Sequence, residues 1–308
     1  MRHLLADDDL SPAEQAEVLD LAAALKAAPF SQRPLEGPVT GAMIFDKPTL
    51  RTQASFSAGI AELGGHPMLV DGALAGVGVR ESVPDVARVL GRQAGVIVWR
   101  TFAQTALEEM AEYAGVPVVN ALTDDFHPCQ LLADLLTVRE HKGSLAGLRA
   151  VFLGDAACNM GNSWMLAGAT AGMHVVLSGP SGYQPTDEMV ARAAAIASGT
   201  GGSVSVEPDP VAAVSGADVV VTDTWVSMGK EDEVATRLAD LEPYRLDQTL
   251  FEHAAPGALV LHCLPAYRGK EITAEVLDGP ASVIWDEAEN RRHVQKAVIA
   301  WLWERRDA

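Results

Sequence analysis

The sequence predicts an α/β protein of two doubly wound lobes with central parallel sheets, joined by bridging helices. Three observations carry that prediction. The chain has 308 residues, more than one core usually organises, so two domains of about 150 residues each are expected. Short β-branched runs alternate with helix-length segments from end to end, the order of an α/β fold. Those runs are almost continuously apolar, as strands buried on both faces of a parallel sheet are.

The elements follow in order. "SPAEQAEVLDLAAALKAA" opens with Ser11 as an N-cap, Pro12 at the first helical position and Glu14 at capping-box spacing, which predicts a helix to about residue 28. Strands are predicted at "TGAMIFD" (40–46), "PMLVD" (67–71), "GVIVWR" (95–100) and "PVVNAL" (117–122). Between them "RTQASFSAGIAELGG", "ESVPDVARVLGRQ" and "TALEEMAEYAG" have helical length, most of them closing on glycine. "CQLLADLLTVREHKGS" (129–144) predicts a long helix that bridges the lobes and ends at Gly143 and Ser144.

The second half repeats the rhythm with "RAVFLGD" (149–155), "HVVLSG" (174–179), "GSVSVE" (202–207), "DVVVTD" (218–223), "ALVLHC" (258–263) and "ASVIWD" (281–286) as strands. The last helix, "EAENRRHVQKAVIAWLWERR", carries Trp301 and Trp303, placed to pack back on the first lobe. The expected domains are therefore residues 1–135, completed by a C-terminal helix over 287–308, and residues 145–286.

Composition narrows the function. Lys and Arg number 23 against 41 Asp and Glu, a net charge of −18. Nucleic acids and acidic membranes need a broad basic face, so neither is an expected partner. An anionic small substrate remains open if a few arginines are focused in one cleft. Cys129, Cys158 and Cys263 are far apart and lack CxxC spacing, which suggests reduced thiols in a cytoplasmic protein. The N-terminal stretch lacks the apolar core of a signal peptide, and no run of 18 apolar residues occurs.

In open α/β sheets ligands bind beyond the strand C-termini, where helix N-termini converge. "KPTLRTQASF" follows the first strand and puts Thr49, Arg51 and Thr52 at a helix entry. Hydroxyls, a guanidinium and backbone N–H groups there suit a phosphate; a simple Thr-capped helix is the plainer reading. Arg100 ends the third strand. His127 and Gln130, in "FHPCQ", open the bridging helix and can donate to a carbonyl or phosphate oxygen, although His127 taken alone reads as structural. Together these donors make the first lobe an oxyanion and phosphate binder.

The second lobe differs. "GDAACNMGNS" offers Asn159 and Ser163 at a helix entry without a G-x-G-x-x-G pattern, and "GVGVRE" (76–81) lacks it too, which disfavours a dinucleotide. Asp223 ends a buried strand before Ser227, Met228 and Gly229; a carboxylate with hydroxyl and backbone groups suits a cationic amine, while a turn cap is the plainer reading. In "HCLP", Cys263 has neither a CxxC nor an HxxxH partner set, so zinc is not expected. Consecutive strand residues face opposite ways, so His262 and Cys263 are not expected to form a nucleophilic pair.

"FDKPTLRTQASF", "WRTF", "FHPCQ", "GDAACNMGNS", "DTWVSMG", "HCLPAYRG" and "DEAENR" occur in the order seen in ornithine carbamoyltransferases, and the chain resembles that family from end to end. The resemblance implies a first domain for carbamoyl phosphate, a second for ornithine, and homotrimers or multiples of trimers with sites at subunit boundaries. It places carbamoyl phosphate on Thr49, Leu50, Arg51, Thr52, Arg100, His127, Gln130 and Arg291, with a backbone carbonyl at Cys263 to Leu264 on the carbamoyl NH2. It places ornithine on Asn159, Asp223, Ser227 and Met228, and implies Arg100, His127 and Cys263 in catalysis. No metal or organic cofactor is implied. The reaction would be carbamoyl transfer to the δ-amine of L-ornithine, giving L-citrulline and phosphate in arginine biosynthesis.

The chain departs from the family pattern at several places. Thr49-Leu50-Arg51-Thr52-Gln53 stands where Ser-Thr-Arg-Thr-Arg is usual, Gly76 where a glutamine normally reaches the neighbouring subunit's phosphate, Tyr267 for a histidine and Cys158 for an asparagine. Arg80 is the expected substitute donor near Gly76. The alternatives are a carbamoyltransferase for another amine, such as an N-acylated ornithine or a diamine, a nicotinamide-dependent dehydrogenase, and a non-catalytic homologue.

Overall fold

The computed structural model describes residues 1–226 and 231–307. The chain divides into two compact units, Met1–Leu136 with Glu289–Ala308, and Thr137–Ala288.

The first unit contains α1 (Pro12–Ala27), β1 (Thr40–Phe45), α2 (Arg51–Glu62), β2 (His66–Asp71), the single turn α3 (Gly72–Ala75), α4 (Val83–Leu90), β3 (Val96–Arg100), α5 (Gln104–Ala114) and β4 (Val118–Leu122). α6 (Pro128–Lys142) begins in it. The capping box at α1 is present: Glu14 N donates to Ser11 Oγ at 3.3 Å, and Ser11 N donates to Glu14 Oε2 at 2.9 Å. The four strands are parallel in the order β2-β1-β3-β4. Ile44, Ile97, Trp99, Leu107, Met110 and Val118 form a core between sheet and helices. Residues before α1 extend the sheet: Leu4 bridges Val119 in parallel, and Leu4 N donates to Val118 O at 3.0 Å. No apolar run announced that contribution.

The second unit contains β5 (Arg149–Leu153), α7 (Asn159–Thr170), β6 (His174–Ser178), α8 (Asp187–Thr200), β7 (Ser203–Val206), α9 (Pro210–Val214), β8 (Val219–Thr222), α10 (Val234–Leu241), α11 (Gln248–Phe251), β9 (Leu259–Leu261), α12 (Ala274–Leu277) and the start of α13 (Ile284–Glu304). Its five strands are parallel in the order β7-β6-β5-β8-β9. Val151, Leu153, Val220, Val260, Ile272 and Ile284 lie in its core.

The expected strand at 281–286 does not form. Only Ser282 bridges Val260, and the chain turns into α13 at Ile284. Asp286 and Glu287 in the first turn of α13 complement the positive end of the helix dipole. β9 is also shorter than expected. It stops at Leu261 because His262 N leaves the ladder and donates to the Glu287 carboxylate at 2.9 Å.

The part of α13 in the first unit is tied to α1 and α2. Trp301 Nε1 donates to Glu17 Oε2 at 3.0 Å, and a Cβ on Gly95 would come within 2.5 Å of the Trp303 ring. Lys296, fully buried, donates to Glu62 Oε2 at 2.5 Å and to Leu25 O at 3.2 Å. Removing one partner of such a pair strands a buried charge, at a cost of about 3–5 kcal/mol. Arg292 joins Glu62 at 3.4 Å, so the C-terminal end of α2 is anchored by two cations.

Candidate active site

In the first sheet the chain order reverses between β1 and β3, and the loops beyond such a switch point are where α/β sheets bind ligands. Thr49 and Leu50 lie in the loop after β1, Arg51 and Thr52 open α2, and Arg100 closes β3. Asp46 N donates to Arg100 O at 2.9 Å and Asp46 Oδ2 accepts from Trp99 Nε1 at 2.9 Å, which ties the two strand ends together. The register of β3 against β4 shifts between Trp99 and Arg100, and an irregularity of this kind re-aims a side chain at a strand end.

α2 starts at Arg51 without a side-chain cap, so its first N–H groups are presented to whatever lies beyond them. Leu50 is 81% exposed there and Thr49 is half-buried. Thr52 Oγ1, buried, accepts from Arg291 Nη2 at 2.8 Å and from Arg100 Nη1 at 3.5 Å. Arg100 is only 8% exposed. His127 sits just ahead of Pro128, held by a turn in which Phe126 N donates to Thr123 Oγ1 at 3.1 Å and Thr123 N to Phe126 O at 2.9 Å. Burial, then Arg291, Arg100 and Arg51, hold its pKa well below the usual histidine range. A neutral imidazole beside three guanidinium groups can donate one N–H without adding charge, and the surroundings favour an anion.

Gln130 Nε2 donates to Asp134 Oδ1 at 2.8 Å, both side chains being buried. Lys47, also buried, pairs with Asp124 at 2.6 Å and lies 4.2 Å from the Phe102 ring centre. Motif reading passed over Lys47 and Asp134; a lone charge inside the apolar run "LLADLLTV" was the signal for Asp134. Gly76 has φ +65, and Val79 N and Arg80 N both donate to its carbonyl. Arg80 is exposed in that turn.

In the second sheet the order reverses between β5 and β8. Gly154, after β5, has φ +112, and a Cβ there would lie 3.1 Å from Trp225 Nε1. Beside it Arg237 donates to Asp155 Oδ2 at 2.7 Å and to Trp225 O at 3.0 Å, which joins the loops after β5 and β8. α7 begins at Asn159 behind Cys158, again without a side-chain cap. After β8, Asp223 Oδ1 accepts from Thr224 N at 2.7 Å and from the Cys263 thiol at 3.2 Å. Burial pushes the Asp223 carboxyl up, opposed by His262, the Cys263 thiol and Thr224 N. Burial, then Asp155 and Asp223, push the Cys158 thiol well up, so α7 starts within the field of Asp223. The Cys129 thiol is pushed up to about 12 by burial. Neither thiol is a nucleophile at neutral pH.

His262 and Cys263 have separate partners. Leu264 N donates to His262 Nδ1 at 2.9 Å, and His262 Nε2 faces Glu271 Oε1 at 3.3 Å with both side chains buried. A ring nitrogen that accepts an amide N–H carries no proton, so the other nitrogen holds it and donates to Glu271. Glu271 Oε1 also accepts from Tyr267 N. These bonds surround Leu264, which has φ +60 and precedes a cis bond to Pro265. A left-handed leucine persists only where its surroundings over-determine it.

Among the described residues, ligand atoms of Asp223, His262 and Cys263 lie within 4.8 Å of one another, a group that could hold a metal ion. Sequence spacing did not announce it, because Asp223 comes from another strand end. Both ring nitrogens of His262 are already engaged, so a metal would have to displace Leu264 N or Glu271.

Thr52, Arg51, Arg100, His127 and Arg291 thus meet in the first unit, with Gln130 in the first turn of α6, its N–H on His127 O at 2.9 Å. Asp223 and Cys263 meet in the second unit, beside the start of α7 that carries Asn159. Ser227 and Met228 lie outside the described residues.

A family model described as aspartate/ornithine carbamoyltransferase, carbamoyl-P binding domain, matches residues 2–140, and one described as the Asp/Orn binding domain of the same family matches residues 146–302. An ornithine carbamoyltransferase from Clavibacter michiganensis subsp. michiganensis is 62% identical over 301 residues, 98% of each chain. The solved ornithine carbamoyltransferase from Pyrococcus furiosus is 41% identical with a TM-score of 0.94, covering 98% of this chain and 97% of its own. The anabolic ornithine carbamoyltransferase from Campylobacter jejuni is 35% identical with a TM-score of 0.94, covering 99% and 100%. With both domain models matched in order and relatives aligned over nearly the whole length, the chain belongs to the aspartate/ornithine carbamoyltransferase family.

Proposed function

We propose that the protein transfers the carbamoyl group of carbamoyl phosphate to the δ-amine of L-ornithine, giving L-citrulline and phosphate, as a step of arginine biosynthesis. The observation that carries this reading is the group of buried cations, Arg100 and Arg291 on Thr52, beside a neutral His127 and an uncapped helix start. The relatives named above are ornithine carbamoyltransferases.

In this reading Arg51, Thr49 and the N–H groups of Leu50 and Thr52 hold the phosphate. Arg100, His127 and Thr52 stabilise the oxyanion that forms when the neutral δ-amine adds to the carbamoyl carbon. The phosphate then departs with the bonding electron pair, and the amine loses its proton. Fixed donors of this kind each contribute about 100- to 1000-fold in rate. Asp223 pairs with the α-ammonium, with Asn159, Ser227 and Met228 as the other ornithine contacts, and Cys263 stands beside the acceptor. The Cys263–Leu264 backbone is offered to the carbamoyl NH2. A homotrimer accompanies this reading, and size-exclusion chromatography with light scattering measures it.

The direct test is carbamoylation of ornithine, acetylornithine, putrescine, lysine and aspartate in parallel. Ornithine should be the preferred acceptor. Turnover of another amine with none of ornithine overturns the acceptor; binding of carbamoyl phosphate without any turnover overturns the enzymatic reading.

A further inference from the structure

Arg100 and His127 can serve one oxyanion only if they are held in one mutual arrangement, and they belong to different loops. Arg100 ends β3, and His127 follows the turn after β4. Backbone bonds bring the two loops together: Thr101 N donates to Leu122 O at 3.0 Å, and Asp124 N to Phe102 O at 2.8 Å. Residues 125–127 lie beyond both bonds.

A buried side-chain network continues from there. Thr123 Oγ1 accepts from the N–H of Phe126, the residue before His127, at 3.1 Å and donates to Gln104 Oε1 at 2.8 Å. Gln104 opens α5, four residues after Arg100. Its Nε2 donates to Leu5 O at 3.2 Å, and Asn120 Nδ2 donates to the same carbonyl at 2.7 Å. A backbone carbonyl only accepts, so Leu5 O decides which end of the Gln104 amide faces it and leaves Oε1 to the Thr123 hydroxyl. Asn120 and Thr123 are 0% exposed and Gln104 is 8% exposed. In so dry a network each bond given up leaves a buried group unpaired, which favours a single arrangement. On the far side His127 O accepts from Leu131 N at 3.2 Å as α6 begins, so the histidine is gripped from both directions.

We propose that Gln104 and Thr123 are positioning residues: their bond clasps the loop after Arg100 to the turn before His127 and holds the two oxyanion donors in register, with Leu5 O as the fixed end of the network. Both act through Arg100 and His127. The proposal rests on the carbamoyl-transfer reading of this unit, and its test lets the two fail separately.

The full-length variants Thr123→Val, Thr123→Ser, Gln104→Met and Thr123→Val with Gln104→Met are compared with Val18→Ala, which opens a cavity at the buried face of α1 in the same unit. Steady-state kinetics with carbamoyl phosphate and ornithine, the His127 ring resonances and thermal melting are read on each. A misplaced reacting group costs up to about 100-fold, so kcat should fall about 10- to 100-fold in Thr123→Val and in Gln104→Met. The KM for ornithine should stay within about twofold, since the lost interaction belongs to the transition state. Thr123→Ser keeps the hydroxyl and should keep kcat within about threefold of wild type. The double variant should lose no more than about twofold beyond the worse single one, because both changes break the same bond. The His127 resonances should move in Thr123→Val and Gln104→Met and stay in place in Thr123→Ser and Val18→Ala.

A kcat loss that merely follows melting temperature across the series, a KM rise in place of a kcat loss, no recovery in Thr123→Ser, additive losses or unmoved His127 resonances overturn the proposal. If Thr123→Val does not fold, Gln104→Met and Thr123→Ser decide by the same criteria. A wild-type protein that carbamoylates no amine overturns the parent reading alone; the resonances then test the clasp by themselves, and it falls if they do not move.

Discussion

Replacing Arg100 tests the anion site by its charge and by its shape. Arg100 is 8% exposed, ends β3 at a register shift, and donates to Thr52 Oγ1 at 3.5 Å. Arg100→Met keeps most of the stem and removes the fork and the charge. A fixed donor to a developing oxyanion contributes about 2.7–4 kcal/mol, so kcat/KM should fall about 100- to 1000-fold. A second consequence is independent of turnover. Burial first, and then Arg291, Arg100 and Arg51, hold His127 well below the usual histidine range, so in Arg100→Met the His127 resonance should titrate at higher pH than in wild type while burial keeps it below an exposed histidine. Arg100→Lys keeps the charge without the planar fork, so it should lose rate while leaving His127 low. Steady-state kinetics, histidine NMR titration and thermal melting read all three quantities. A rate loss under about tenfold, or one that merely tracks early melting, refutes the catalytic assignment. An unmoved His127 titration in Arg100→Met refutes the electrostatic one.

Three further outcomes are expected. Cys263→Ser should keep measurable turnover with a raised KM for ornithine, because Ser can still donate to Asp223; complete loss together with a trapped carbamoyl-enzyme would contradict direct attack by the amine. His3, His127 and His293 all have pKa values lowered from 6.5 by burial, helped by nearby positive charge. Their contribution to stability is therefore present above about pH 6.5 and lost as pH falls toward the folded-state values, at about 1.4 kcal/mol per pH unit for His127 alone. Asp125 and Asp223 are raised by burial and act in the opposite sense, so denaturant melts at pH 7.5 and 5.5 should compare wild type with His127→Asn, and an identical pH slope would contradict the His127 share. Gly154→Ala, at φ +112 with Trp225 Nε1 3.1 Å from the new methyl, should destabilise the protein by about 1–3 kcal/mol; an unchanged melting temperature would contradict the close approach.

The parts of this molecule that periodicity governs were legible in the sequence. "GVIVWR" and "DVVVTD" read as strands because buried parallel strands need no alternation, and Ser11 with Glu14 announced α1 through its own chemistry. "ASVIWD" misled for the same reason: a short apolar run such as Val283-Ile284-Trp285 looks alike at the end of a sheet and at the start of a buried helix. The acidic pair Asp286 and Glu287, suited to a helix N-terminus, was the available corrective. Thr52 and Arg100 were each legible as strand-end donors, but their contact follows from the strand order, which sets the ends of β1 and β3 side by side and which periodicity does not give. Arg291 had no local signal and came only through the family resemblance. Glu271, Glu287 and Asp134 act through buried hydrogen bonds to residues up to 25 positions away, and a carboxylate's partner cannot be read from its neighbours. The shared thiol bond of Asp223 and Cys263 was hidden likewise, because the two residues lie on neighbouring strand ends 40 residues apart.

Direct attack by the amine requires that phosphate leave only once the amine has added to the carbamoyl carbon. Following carbamoyl phosphate and phosphate by phosphorus NMR while citrulline is assayed in the same tube tests it directly. Ornithine-dependent release of phosphate and citrulline in equal amounts is expected. Phosphate released at the same rate without ornithine, or without matching citrulline, would contradict it.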